Sequence, residues 1–203
     1  MKIDLKLHWE NIYETKTAQE VSWTQVKPKT SLELIGSFGT DKTKKIIDIG
    51  GGDSTLVDFL LDAGYSNITV LDISEKAIER AKKRLGNRAD LIKWIVSDIT
   101  EFKPKENYDI WHDRAVFHFL LNADAITYYK NLVTQFVDQN MMLATFSIDG
   151  PLKCSGLEIK QYDKDSLNKI FEDSFRLDNE LYEDHITPFL TKQNFIYCSF
   201  SKK

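Results

Sequence analysis

The sequence predicts an α/β protein on a doubly wound, mostly parallel sheet with helices on both faces, and three observations carry that prediction. Short apolar runs alternate with helical stretches between residues 44 and 147. The runs are too short for helices and too continuously apolar for surface strands, which marks strands buried on both faces. A glycine cluster follows the first run directly, in Ile46-Ile47-Asp48-Ile49-Gly50-Gly51-Gly52-Asp53-Ser54-Thr55. Strand, helix, strand in this rhythm means βαβ units. The rhythm then breaks near the end, where two extended segments at 175–182 and 194–200 flank a turn region containing Pro188. Two strands that close in sequence pair antiparallel.

The elements follow in order. Residues 1–40 contain no strand of the main sheet and read as a helical lead-in, with candidate helices at 9–15 and 31–38. The first strand is 44–49. A helix at 54–64 carries Leu56, Val57, Leu60 and Leu61 at helical spacing, with Gly64 as its stop. The β-rich run 67–72 is the second strand. Ser74 caps a helix through Leu85, with Ala77, Ile78, Ala81 and Leu85 on one stripe and Gly86 ending it. Strands follow at 91–96 and 108–112. A helix at 124–137 presents Ile126, Tyr129, Leu132, Val133 and Phe136, and a strand at 141–147 follows it. In the last strand, alternation puts Ile196, Cys198 and Phe200 on one face, so Cys198 is expected to be buried. The division expected is a lead-in or lid at 1–40 and a ligand-binding domain at 41–203.

Composition narrows the classes of function. A chain of 203 residues suits one domain. A net charge of -4 counts against a nucleic-acid partner, which demands a basic face. The opening MKIDLKLHWE mixes charges with apolar residues, so neither a signal peptide nor a membrane segment is expected. Cys154 and Cys198 lie far apart without CxxC spacing, and His8, His112, His118 and His185 form no HxH or HExxH pair. No metal is expected. Two reduced thiols fit a cytoplasmic protein, expected to be a monomer or weak dimer.

An open parallel sheet binds its ligand at the carboxyl ends of its strands, where strand order reverses. The loop at Gly50, Gly51 and Gly52 belongs there. Glycines let a ligand approach the main chain, and the helix behind them offers free N–H groups. A dinucleotide site wants GxGxxG, and here Thr55 stands in the third glycine's place. On its own the loop also fits a tight turn with no ligand. Two further acids extend the pattern. Asp72 ends the second strand, where a carboxylate can accept ribose hydroxyls; alone, it fits an acid that caps the helix after Ser74. Asp98, just past the third strand in VSDIT, can accept an exocyclic amine such as that of adenine; alone, it fits a loop cap. Asp48, the glycines, Asp72 and Asp98 at three successive strand ends together point to a nucleoside ligand.

This ordered set resembles the class I S-adenosylmethionine (SAM) dependent methyltransferases, from about residue 44 to the end of the sequence. The resemblance implies seven strands with the last inserted antiparallel. It implies SAM, leaving as S-adenosylhomocysteine, with its methionine end against Gly50–Gly52, its ribose on Asp72, and its adenine near Ile73, Asp98 and Ile99. Many members carry a third glycine where Ser54 stands, so this chain departs from the pattern there. Trp23, with Trp9, Tyr13 and Gln25, precedes the first strand. These residues read either as a lid that excludes water and holds the sulfonium by cation–π attraction, or as an aromatic cluster packed on the sheet edge.

The fourth strand should face the transferred methyl, and YDIWHDRAVFHFL is rich in polar groups. His112 and Asp113 could orient or deprotonate an acceptor. Arg114 could bind an acceptor's carboxylate, and His118, four residues on, would share its face on a helix. A hydrogen-bonded structural histidine and a local Asp113–Arg114 pair are the alternatives. The Asn/Asp-Pro-Pro-aromatic motif of base and glutamine methylation is absent. IWHDRAVF is similar to the WDRG-type stretch of thiopurine methyltransferases, which act on small thiols. HWENIYETKTAQEVSWTQ resembles the opening of a branch that includes protein-lysine methyltransferases. A small molecule and a protein lysine both stand as acceptors. Lys153-Cys154-Ser155-Gly156 is expected to wall the acceptor end. A nucleotide-dependent oxidoreductase and a non-catalytic SAM-binding protein are the alternatives of other classes.

Overall fold

The computed structural model describes residues 4–203. The lead-in holds α1 (Leu5–Thr15) and α2 (Lys29–Ser37). Asp4 caps α1 by accepting the Leu7 N–H at 3.0 Å. Then come β1 (Lys45–Ile49), α3 (Leu56–Asp62), β2 (Asn67–Asp72), α4 (Glu75–Leu85), β3 (Ile92–Val96), β4 (Tyr108–Arg114), α5 (Ala123–Phe136) and β5 (Val137–Phe146). A two-residue pair, β6 (Lys153–Cys154) and β7 (Leu157–Glu158), precedes α6 (Lys164–Phe171), β8 (Phe175–Ile186) and β9 (Lys192–Lys202).

The main sheet has seven strands in the order β3-β2-β1-β4-β5-β9-β8. All run parallel except β9, which is inserted antiparallel between β5 and β8. Strand order reverses between β1 and β4, so a crevice opens beyond their carboxyl ends.

Alternation along the strands sends side chains into two cores. On one face Ile47, Ile49, Trp111, Leu143, Ile196 and Cys198 pack with Tyr129, Leu132 and Val133 of α5 and Leu167 and Phe171 of α6. On the other, Ile46, Ile68, Val70 and Ile110 meet Leu56, Val57 and Leu60 of α3, Ile35 of α2 and Leu85 of α4. Leu34 of α2 extends that face to Met142, Ala144, Phe195 and Tyr197. Cys198 is fully buried, as the alternation predicts.

The structure departs from the sequence reading at three places. Helix α6 was not expected, although Asp163 and Ser166 cap it reciprocally. Strand β5 starts at Val137 instead of 141, because Asp138 and Gln139 are exposed and break the apolar pattern while Val137 and Asn140 still pair with β4 across a register shift. The third departure concerns Arg114 and His118. β4 extends through Arg114 and stops at Ala115, which adopts φ 74°. The two residues are therefore not neighbours on one helix.

Candidate cofactor and acceptor cleft

The loop after β1 is fixed by its own backbone. Gly50 and Gly51 donate their N–H groups to the Leu71 carbonyl of β2, at 2.7 and 3.2 Å. Gly50 has φ 67° and Gly52 φ 28°, a region that L side chains rarely adopt. What surrounds the missing side chains is the protein itself. A Cβ on Gly50 would strike Val116, and one on Gly51 would strike the Asp48 carboxylate. A Cβ on Gly52 would lie 2.5 Å from Asp72 Oδ2. The glycines therefore bring this chain's own carboxylates against the loop backbone. From outside, Arg84 of α4 braces the loop through Asp53 at 2.7 Å, Asp58 at 2.8 Å and the Ser54 carbonyl at 2.7 Å. Ser54, at the absent third glycine, accepts the Leu56 N–H at 3.1 Å.

The three acids stand at the ends of adjacent strands. Asp72, buried at the tip of β2, accepts the Ser74 N–H on Oδ1 at 2.8 Å, and its Oδ2 faces Gly52. Burial raises its pKa to about 7, with the charges of Asp48 and Glu10 adding to the rise and the Ser74 N–H opposing it. Asp98 accepts the Thr100 N–H and hydroxyl on Oδ1, both at 2.8 Å. Ile73 and Ile99 lie beside these acids along the same cleft. Asp48 pairs in register with His112 of β4. His112 Nδ1 lies 2.7 Å from Asp48 Oδ1, and Nε2 lies 2.9 Å from the Ser31 hydroxyl of α2. With Nδ1 donating to the carboxylate, Nε2 is the ring atom that faces the Ser31 hydroxyl. A polar chain thus runs from the glycine loop into the lead-in.

Gly50, Gly51, Asp48, Asp72, Asp98, Ser31 and His112 line a cleft of about 1330 Å³, whose walls also include Trp9, Tyr13, Trp23, Arg114, Phe119 and Cys154. Trp9 meets Trp23 and Phe119 edge-on, each at 5.5 Å between ring centroids. α1 is held there by Glu10. Its carboxylate accepts the Ser74 hydroxyl at 2.8 Å and the N–H groups of Glu75 and Lys76 at 2.9 and 3.2 Å. Those bonds lower the pKa of Glu10 against the opposing effect of burial. The β6–β7 pair closes the far end, where Ser155 lies 3.3 Å from His8. Burial pushes the Cys154 thiol up to about 12, so it stays protonated.

The sequence grouped His112, Asp113, Arg114 and His118 around the methyl site. The structure brings His112 and Arg114 to the cleft and turns the other two away. Strand period explains Asp113: residues 112 and 114 share one face and 113 takes the other. Asp113 is fully buried and accepts the Tyr129 hydroxyl at 2.7 Å and the Val116 and Phe117 N–H groups at 2.9 and 3.3 Å. Burial raises its pKa to about 6. His118, in a turn of 3-10 helix at 117–119, accepts the Phe146 N–H on Nδ1 at 3.3 Å. Burial holds its pKa down at about 3, with the Arg114 charge adding. Arg114 is only half-buried. Its Nε donates to the Tyr197 hydroxyl at 2.9 Å, its Nη1 to the Trp23 carbonyl at 3.3 Å, and its guanidinium lies 4.5 Å from the centre of the Phe195 ring. Sequence reasoning missed Glu10 and Ser31, and no local pattern marks either residue.

A glycine loop at the point of strand reversal, an acid at the end of each of three adjacent strands, and an antiparallel strand inserted next to last define the class I methyltransferase fold. Residues 47–138 match the family model described as "Methyltransferase domain". The chain has the fold of the SAM-dependent methyltransferases among solved structures. The chain is 31% identical over 97 residues to malonyl-[acyl-carrier protein] O-methyltransferase 2 of Ilyobacter polytropus, covering 46% of this chain and 37% of that protein. It is 26% identical over 120 residues to the eEF1A lysine and N-terminal methyltransferase of Bos taurus, covering 58% of this chain and 17% of that protein. It thus spans well under two thirds of the length of either relative. Among solved structures, the N-methyltransferase NodS of Bradyrhizobium japonicum in complex with S-adenosylhomocysteine superposes with a TM-score of 0.67 at 15% identity, over 86% of this chain and 84% of that one.

Proposed function

We propose that this chain is a SAM-dependent methyltransferase acting on a small-molecule acceptor. The observation that carries the reading is the set of Asp48, Asp72 and Asp98 at the ends of β1, β2 and β3 around the glycine loop. The cradle fits the cofactor's parts. Asp72 Oδ2, beside Gly52, accepts ribose hydroxyls. Asp98, between Ile73 and Ile99, accepts the adenine amine. Gly50, Gly51 and Gly52 bring the backbone to the methionine end, which Asp48 supports from beneath. Trp23 with Trp9 and Tyr13 forms a lid over the sulfonium, so the lid role expected of residues 1–40 falls to the part that precedes α2. SAM supplies a methyl group on a leaving group that is already activated. The protein's task is therefore to align the acceptor and exclude water.

In this reading Arg114 touches the acceptor. His112 positions Asp48, while Asp113 and His118 hold the β4 end in place. A volume of about 1330 Å³ exceeds the 300–1,000 Å³ typical of a single-ligand site, which supports room for two molecules. A protein-lysine acceptor is the second reading, supported by the name of the relative from Bos taurus. A guanidinium at the acceptor end opposes an incoming ammonium and favours the first. A cytoplasmic setting fits the two free cysteines. A monomer or weak dimer fits the acidic residues along edge strand β8. Among the described residues no helix is long and apolar enough to cross a membrane.

Calorimetric titration with SAM, S-adenosylhomocysteine and NAD tests the reading. Micromolar binding of the first two without heat from NAD is the expected result. NAD binding alone would replace it with the oxidoreductase reading. Cofactor binding without turnover on any acceptor would favour a non-catalytic binding protein.

A further inference from the structure

We infer that the acceptor carries a carboxylate, held by Arg114, on a compact apolar body; this rests on the methyltransferase reading of the same cleft. The starting point is an unbalanced charge. Arg114 lines the cleft, yet among the described residues no Asp or Glu lies within ion-pair distance of it. Its Nε and Nη1 are engaged by the neutral oxygens of Tyr197 and Trp23. Its Nη2 is buried and has no hydrogen-bond partner. A native protein rarely leaves such a donor unsatisfied, because each costs free energy, more so when charged.

The surroundings show what would satisfy it. The guanidinium is fixed at one end by Tyr197 and stacked on Phe195, so its fork is already oriented. A planar fork whose Nη2 lacks a partner matches a carboxylate, which accepts two parallel N–H bonds from Nη1 and Nη2 once the Nη2 edge, closed to solvent here, opens to the cleft. Other charged groups lining the cleft are the acids Asp4, Asp48, Asp53, Asp72, Asp98, Glu101 and Glu158 and the bases Lys6, Arg80, Arg84 and Lys153; Arg80 and Arg84 are paired with Asp53 and Asp58, which leaves Arg114 without an acid of its own. The cleft near Arg114 is walled mainly by Trp23, Phe119, Leu120, Cys154 and Leu157, with Thr24 and Gln25 as the neutral polar residues among them. A flat organic acid fits those walls, and a polycation or a lysine side chain does not. An arginine fork withdraws electron density from the oxygens it holds. The carboxylate is therefore a handle, and the methylated atom lies elsewhere on the same molecule.

The test uses the full chain loaded with S-adenosylhomocysteine. Benzoate, phenylacetate and acetate are titrated by calorimetry and by the change in tryptophan fluorescence, with benzamide as the neutral isostere. At least one of the two aromatic acids is expected to bind about tenfold or more tightly than benzamide, the difference expected when a charged hydrogen-bonded pair is lost. Arg114→Gln should lose that preference, and Arg114→Lys, which keeps the charge without the fork, should lose most of it. S-adenosylhomocysteine should bind both variants within about threefold of the parent. Equal binding of acid and amide to the unmutated chain would overturn the proposal without relying on any variant. So would acid binding that Arg114→Gln leaves intact, or no acid binding to protein that binds S-adenosylhomocysteine. Failure to bind S-adenosylhomocysteine at all would instead remove the methyltransferase reading, and this proposal with it.

Discussion

Asp72 concentrates the chemistry of the cofactor end at a single residue. Its carboxyl is buried, shifted from 3.8 to about 7, and turned toward the loop. In the free protein it holds a proton that the unfolded chain has shed above pH 3.8. Its contribution to stability is therefore full below that pH and is lost as pH rises through about 7, at up to ~1.4 kcal/mol per unit. Asp72→Asn should flatten this slope between pH 4 and 7 and raise the free protein's melting temperature at pH 8. Ribose hydroxyls donate to the ionised form, so SAM should bind more tightly as pH rises from 6 to 8. Proton release on binding near pH 7 should appear as different calorimetric heats in phosphate and Tris, and Asp72→Asn should abolish it. The same change should weaken SAM by ~1.5–3 kcal/mol, since a charged acceptor is lost. An unchanged dissociation constant would reduce Asp72 to a cap for α4. Gly52→Ala should cost ~1–3 kcal/mol of stability through its positive φ and should weaken SAM at least tenfold, read by thermal melting and titration. Asp72 was legible in the sequence because it ends a strand, and Gly52 because it stands in the glycine run just after one. His118 was misplaced because the helical i, i+4 rule was applied past the end of a strand. Glu10 and Ser31 were not legible, because their partners lie 64 or more residues away in the chain.

Among helices α1 to α6, α1 buries the fewest residues. It has no acidic first turn and no basic last turn, and only Tyr13 among its residues is buried. What holds it is Glu10 at the start of α4, where three donors and the positive end of the helix meet one carboxylate. Glu10→Ala should release α1 from the cleft at a cost of ~1–2 kcal/mol, the range for losing a helix cap. Trypsin should then cut at Lys6 and Lys16 faster than in the parent, and saturating S-adenosylhomocysteine should restore less protection. Unaltered cleavage would mean that the aromatic contacts of Trp9 alone seat the helix. The elements that could be read in advance share one property: their apolar pattern suffices to place them. β2 at 67–72 matches residue for residue, since Gly64 and Ser74 bound it on either side. α6 escaped because its two buried residues, Leu167 and Phe171, stand among polar ones. Its cap at Asp163, with Ser166 three residues on, was the available signal.

For the whole molecule, the question is whether the lead-in is separable. A boundary at residue 40 treats α1 and α2 alike, but packing treats them differently. Ile35 of α2 is fully buried beneath β1 and β2, Leu34 lies against β5 and β9, and Ser31 closes the chain from His112 to Asp48. α2 covers one face of the sheet as α5 and α6 cover the other, which makes it part of the domain. α1 instead rests against the start of α4. Two truncations should therefore part company. Removing residues 1–17 should leave a cooperative melt while SAM affinity falls about tenfold, as expected when aromatic contacts and water exclusion at a site are lost. Removing 1–40 should expose the sheet face over Ile46, Ile110 and Met142 and leave Ser31's partner unsatisfied. Losing Leu34 and Ile35 alone would cost ~4–10 kcal/mol on the scale of large-to-small core substitutions, comparable to the entire stability of a typical domain. The shorter chain should show no cooperative transition by circular dichroism. If it melts cooperatively and still binds SAM, the lead-in is one detachable lid, and the working domain begins with β1.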